Sequence, residues 1–439
     1  MKRFIVGLFV TLIFAGHAFA ADGLTLGESV TKALDNSPAI IDAREKLKAS
    51  DARLGQAFGA VLPNLSLSAN MGSLYQQPIE MNMGGTLFSY GTEEVASTSG
   101  YTLSLTQPLF AGGKLINALD MAKFAYDAER HNFKVAEDGL TYDVISSYYG
   151  VLRAQKMKDL SKESLDLANS HLEQVKAMYS AGISTKADVL RSEVQAANSE
   201  QTLTKAGNAL ELSKGAFNNI LGRGLDEQVE LAEKEFANES VALKSYAELT
   251  DLAFNKRPDW LSFELGKKIS EKNLSIAYGG YFPAISLTGK YGNSKMDYPT
   301  YLKTNQNTWA IMASASWTLF DGLSTQSRIA EADANLRSLA ANENKIRSAI
   351  LLEIKDANLN LKSALEVVIS AKKAVDSAVE NYQIAEQKYK SGAGSNLEVI
   401  DAQVALTQAK TSLYEAQFDV QTVKAKLNKV IGVDIYKLF

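Results

Sequence analysis

Carboxylates gather just after two glycine turns: Asp188 beyond Gly182, and Glu398 and Asp401 beyond Gly392 and Gly394, with Tyr389 a few residues ahead of the second turn. Ser395-Asn396-Leu397-Glu398 fits a capping box, in which a hydroxyl and a carboxylate three residues on accept each other's backbone N–H groups. Thr185-Lys186-Ala187-Asp188 fits it nearly as well. Acids in a first helical turn also complement the helix dipole. Capping accounts for one carboxylate per turn and does not require Asp401. No catalytic set accompanies these groups. His131 and His171 lie in long helical tracts without metal-ligand spacing and read as helix-surface residues. Gly392-Ala393-Gly394 lacks the preceding strand that a phosphate loop needs. The sequence has no cysteine, hence no disulfide and no thiolate metal site. The residues point away from an enzyme, and no cofactor or metal is expected.

What positions the second turn is a helical run from Ala357 to Val430, folded back at Ser391-Gly392-Ala393-Gly394-Ser395. Going up, positions 357, 361, 364, 368, 371, 375, 378, 382, 385 and 389 are all apolar, ending on Tyr389. Coming back, 399, 402, 406, 409, 413, 416, 420, 423, 427 and 430 are apolar without exception. A strict 3-4 alternation keeps one seam facing a partner only in a left-handed supercoil, so the run reads as two antiparallel coiled-coil arms.

The same design occurs twice. Thr25-Leu26-Gly27-Glu28 opens a helix that Asn36-Ser37-Pro38 interrupts, and 220 positions on Ser245-Tyr246-Ala247-Glu248 does so before Lys256-Arg257-Pro258. Pro63 matches Pro283; then, at an offset of 210, Gly112 matches Gly322, Tyr179 matches Tyr389 and Gly182 matches Gly392. The expected layout is a first repeat over 21–222, a charged linker over 223–240 lying outside the seam, and a second repeat over 241–439. The first repeat carries a diluted seam from Ser147 to Tyr179 in which Lys158 is the one charged member.

Each repeat also carries two period-two stretches with one apolar face, expected as strands at about 64–75, 100–110, 284–293 and 308–320. The polar segments between them, Leu74 to Ser99 and Asn293 to Thr308, are expected as loops. Trp309 and Trp317 share a face roughly 26 Å apart along a strand, near the height of an outer-membrane apolar band. An ordinary half-buried strand with two core tryptophans fits the pattern as well. After each strand pair comes a proline-free tract; a helix from Lys114 to Met178 would run about 100 Å.

Residues 1–20 read as an export signal: Lys2 and Arg3, the apolar run from Phe4 to Phe14, then Ala18-Phe19-Ala20 as the cleavage site. Removing its two cations leaves 44 basic against 50 acidic residues, a net of about −6 that argues against a nucleic-acid partner. No later stretch is a continuous apolar run long enough for a spanning helix, but barrel strands leave no such run. Four strands cannot close a membrane barrel, and an open edge in lipid leaves backbone groups unpaired, so several chains must share one. Two chains would give eight strands and little lumen; a hollow duct favours three.

These residues resemble the TolC-type outer-membrane efflux protein family from end to end of the mature chain. The matching features are Leu24 to Glu28 through Asn36-Ser37-Pro38, Leu62-Pro63 before a strand, Gln107-Pro108-Leu109-Phe110 with Gly112 after one, Asp143 to Leu152, and both tips. Each is weak alone, and their duplicated order is specific. The resemblance implies an α+β membrane protein, a homotrimer with a 12-stranded β-barrel in outer-membrane lipid continued by a long antiparallel coiled-coil α-helical barrel through the periplasm. It implies docking of a periplasmic adaptor (membrane fusion) protein, through tips built on Gly182, Gly392 and Gly394, and an inner-membrane ABC or resistance-nodulation-division transporter. Pro63, Pro108, Pro283, Gly112 and Gly322 would mark barrel-to-helix transitions, and Trp309 and Trp317 a membrane girdle. Glu398 and Asp401 match two acidic positions that ring the periplasmic mouth, where six carboxylates would attract cations, resist anions and raise some of their own pKa values. Tyr389 and Asp188 match a tyrosine-to-aspartate bond that holds the mouth shut, although Tyr389 serves equally as the last seam residue. A second family link, from an arginine, has no counterpart here, where Gly394 and Ala187 stand. A periplasmic coiled-coil adaptor would share the arms but lack the strands.

Overall fold

The computed structural model describes residues 23–90, 93–233, 244–297 and 303–435, so the export signal at 1–20 lies outside the described residues. The first repeat runs α1 (Leu26–Asn36), α2 (Pro38–Gly59), β1 (Asn64–Gln76), β2 (Ile79–Met83), β3 (Thr86–Tyr90), β4 (Glu94–Ala111), α3 (Lys114–Ser180) and α4 (Lys186–Ile220). The second runs α5 (Tyr246–Lys256), α6 (Pro258–Tyr278), β5 (Ala284–Asp297), β6 (Lys303–Ser316), α7 (Ser324–Lys390) and α8 (Asn396–Val430). The duplication is metric as well as sequential: α3 and α7 are both 67 residues long, and α4 and α8 both 35.

Local chemistry sets the boundaries. Thr25 and Ser245 close full capping boxes with Glu28 and Glu248. Ser37 and Arg257 are extended because the next residue is proline, which disfavours α geometry before it yet fits the first turn of the following helix.

All positions of the α7 and α8 seams are buried or half-buried. Near the base of the arms Leu249, Ala253, Trp260, Ile354, Leu361 and Leu427 form one core. Tyr148 and Phe217 anchor the equivalent core of the first repeat, which also takes in Val229. The described part of the linker is therefore not free: Val229 is buried in the same core as the seam residue Val151, and Leu24 bridges Leu231 in parallel.

β1, β4, β5 and β6 make one antiparallel sheet in the order β1-β4-β5-β6, leaving β1 and β6 as open edges. Register places Leu67 opposite Leu103, Leu103 opposite Tyr291 and Tyr291 opposite Trp309, so the apolar residues of four strands share one face. Every one of those side chains is exposed in the chain. The other face aligns Ser68, Thr102, Gly292 and Thr308. Among the described residues no helix is long and apolar enough to cross a membrane.

Three strand expectations change. The segments 74–99 and 293–308 are mostly strand: β1, β4, β5 and β6 continue through them, and β2 and β3 add a separate hairpin. Among the described residues of 293–308 nearly every one is polar, and in the β1 and β4 extensions Leu74 and Tyr75 face Ala96 and Val95 with apolar neighbours on adjacent positions, so the one-sided period-two signal is lost while backbone pairing goes on. β6 stops at Ser316 rather than 320, which puts Trp317 outside the strand; its Nε1 donates to the Tyr281 carbonyl at 3.0 Å. Both tryptophans are exposed, and neither is a core residue of the chain.

Candidate functional site: the paired helix tips

Each helical hairpin turns in the same way. Gly182 and Gly392 adopt φ of 76° and 74°, left-handed values that favour glycine, and donate to the carbonyls of Tyr179 and Tyr389 at 3.0 Å. Ile183 and Ala393 then donate to Met178 and Lys388 at 2.9 Å. Gly394 lies against the main chain of Lys388 and Tyr389, where a Cβ would come within 2.9 Å of the Lys388 Cβ.

The acids beyond these turns act first as caps. The Asp188 carboxylate accepts from the Thr185 hydroxyl at 2.6 Å, the Thr185 N–H at 3.1 Å and the Ser184 hydroxyl at 3.3 Å. The Thr185 hydroxyl bond above all holds its pKa below the usual aspartate value, against a smaller opposing effect of burial. Ser395 donates to Glu398 at 3.2 Å and accepts its N–H, also at 3.2 Å. Glu398 and Asp401, three residues apart, are both exposed on α8.

The bond expected between Tyr389 and Asp188 is not formed. Tyr389 is buried and its hydroxyl has no hydrogen-bond partner among the described residues, while the Asp188 carboxylate is occupied within its own cap. What joins the hairpins is a residue the sequence reading passed over. Asn396, the first residue of α8, donates through Nδ2 to the Asp188 main-chain carbonyl at 3.1 Å. Its Oδ1 lies 2.6 Å from His171 Nε2 and 3.3 Å from the Ser192 hydroxyl. His171, read as a surface histidine, is 5 % exposed, and its ring meets that of Tyr389 edge-on at 5.2 Å. Burial pushes its pKa below the ordinary 6.5, with the Asn396 bond opposing. The signal lay in the stripe: Ala168, Leu172 and Val175 are seam positions, and 171 is one helical turn from 168 and 175, so the buried face is wider than a strict seam. His131 is half-buried, and there too burial lowers the pKa.

Below the tips Gln403 donates to the Ser164 carbonyl at 2.9 Å and Lys410 meets Glu163 at 2.6 Å, tying α8 to α3. At the opposite end of the arms, Pro63 and Pro283 stand directly before β1 and β5. Pro108 sits inside β4 where the register with β5 shifts. Gly112 has φ of 65° and abuts the Gly279 carbonyl; Gly322, at φ 67°, faces open space.

The model of the family described as outer membrane efflux protein matches residues 30–223 and 249–433. Outer membrane protein TolC of Vibrio cholerae is 23 % identical over 98 % of this chain and 96 % of its own. The alkaline protease secretion protein AprF of Pseudomonas aeruginosa is 23 % identical over 99 % of this chain and 89 % of its own. Among solved structures, the outer membrane protein VceC of Vibrio cholerae superposes with a TM-score of 0.79 at 19 % identity, over 93 % of this chain and 96 % of that one. With two family matches falling on two repeats, and a sheet whose apolar face lies open, the chain belongs to the outer membrane efflux protein family and resides in the outer membrane.

Proposed function

We propose that three copies of this chain form an outer-membrane exit duct whose periplasmic mouth is gated by the helix tips. The observation that carries this reading is the four-stranded sheet with an exposed apolar face and two open edges. Edge β6 of one copy would pair with β1 of the next, and three copies would close about twelve strands around a polar lumen. The apolar face would then meet lipid, with Trp309 and Trp317 toward its margins.

The arms would continue the barrel as a helical tunnel, and the duct would receive substrates from an inner-membrane ABC or resistance-nodulation-division pump through a periplasmic adaptor. Gly182, Gly392 and Gly394 shape tips on which Ile183 and Leu397 are exposed, a small apolar surface suited to an adaptor's own helical tips. Glu398 and Asp401 from three copies would set six carboxylates around the mouth and favour cations. Opening would splay α7 and α8 away from the mouth.

The test is the mass of detergent-purified protein with planar-bilayer current. A trimer with cation-selective openings supports the duct. A monomer without current would refute it and favour a coiled-coil periplasmic protein.

A further inference from the structure

Asn396 sits at the junction of three helices and is oriented without ambiguity. Its Nδ2 must face the Asp188 carbonyl, because turning the amide over would set two acceptors against each other. Oδ1 therefore faces His171, and the His171 nitrogen 2.6 Å away must be the donor; the Ser192 hydroxyl lies 3.3 Å from Oδ1 but has a nearer acceptor in the Asp188 carbonyl at 3.0 Å. The proton is on Nε2. The other ring nitrogen, Nδ1, is buried with no hydrogen-bond partner among the described residues, and so is the Tyr389 hydroxyl.

The neutral ring fits this site and the cation does not. A proton on Nδ1 would place a charged donor in a buried spot with nothing to accept it. The charged and titratable groups around the ring offer little relief. From α7 come Tyr389, which presents its ring, and Glu386, which is paired with Lys390 at 2.7 Å. From α4 comes Asp188, whose carboxylate is held by Thr185. α8 contributes Asn396, which carries no charge.

We propose that His171 and Asn396 form the latch between the two tips of one chain, and that protonation of His171 releases it, so that the periplasmic mouth opens on acidification. The proposal rests on the tip-gate reading above. Its sign follows from linkage. A histidine held neutral when the tips are together, and free to charge when they part, favours separation as pH falls below its ordinary 6.5. The effect grows until the pKa of the latched state is passed, tenfold for each unit between the two pKa values.

The absence of cysteine allows a clean distance measurement. Ser180→Cys and Ser391→Cys, one on each exposed tip, carry spin labels in the full-length trimer, and current is recorded in parallel. From about pH 7.5 to about pH 5.5 the separated population is expected to rise at least several-fold. His171→Gln, whose side-chain amide can donate to Asn396 but does not titrate, is expected to stay latched at both. Asn396→Ala is expected to separate already at neutral pH. An unchanged tip distance in the parent across this range, or an equal response in His171→Gln, overturns the latch. Tips that part with acid while current stays unaltered uphold the latch and refute the gate.

Discussion

Tyr179 and Tyr389 hold the same place in the two repeats, each bonded through its carbonyl to the tip glycine, yet Tyr179 is 46 % exposed and Tyr389 only 7 %. The second tip is folded against the first, with Tyr389 among Val175, Val189, Ala385, Val399 and Ala402. The pair is thus symmetric in backbone and asymmetric in environment, and the buried member contributes packing while its hydroxyl goes unpartnered.

Tyr389→Phe is therefore expected to leave the tips latched and to raise stability slightly or not at all, because it removes a buried hydroxyl that makes no bond. Tyr389→Ala should cost about 3 kcal/mol or more by opening a cavity. Thermal unfolding of the detergent-solubilised trimer, with single-channel records of both variants, checks this. Frequent openings in Tyr389→Phe would mean that the hydroxyl bonds in the assembled mouth.

The two strand-to-helix turns differ in a way that mutation can read. Gly112 and Gly322 share a left-handed φ, but only Gly112 abuts a neighbouring backbone, at the Gly279 carbonyl. Gly112→Ala is expected to destabilise far more than Gly322→Ala, which meets open space and adds only about 1 kcal/mol of backbone strain. The next position repeats the contrast, since Gly113 in one copy is Leu323 in the other, at φ 67° and exposed. Leu323→Gly should gain about 1 kcal/mol, measured by chemical denaturation of the folded trimer.

The arms of the second repeat were legible because the 3-4 alternation is apolar at every seam position of α7 and α8, and all of these positions are buried or half-buried. The strand pairs were legible as far as their residues alternate, up to Met71 and from Tyr101; beyond that apolar residues fall on adjacent positions, as at Leu74-Tyr75 and Val95-Ala96, and the period-two pattern is lost although backbone pairing continues. The tip was legible in its caps, since a capping box is local. It was not legible in its latch. His171 and Asn396 are separated by 225 residues, and which helix faces which at the tip follows from the packing of α3 on α8.

The lipid reading of the sheet can be tested by side. Leu67 and Ile311 lie on the apolar face and Ser68 on the other. Arginine at Leu67 or Ile311 is expected to cost about 2–4 kcal/mol near the bilayer midplane and to deplete trimer from the outer-membrane fraction. Ser68→Arg should be tolerated and should change conductance instead. Equal loss in all three variants would rule out a one-sided lipid face.

Glu398 and Asp401 make separable contributions. The Glu398 carboxylate accepts from Ser395, so Glu398→Gln keeps the helix start while removing a charge, whereas no hydrogen bond ties Asp401 among those described. If six carboxylates line the mouth, Glu398→Gln with Asp401→Asn should abolish cation preference, and each single change should weaken it. Stability should hardly move, because exposed charges at a helix start contribute only about 0.3–1 kcal/mol through the dipole. Reversal potentials in a salt gradient read the first effect and thermal unfolding the second. A double variant that keeps the parent's reversal potential would place the selectivity elsewhere in the duct, and one that loses stability along with selectivity would make the two acids caps before they are a filter.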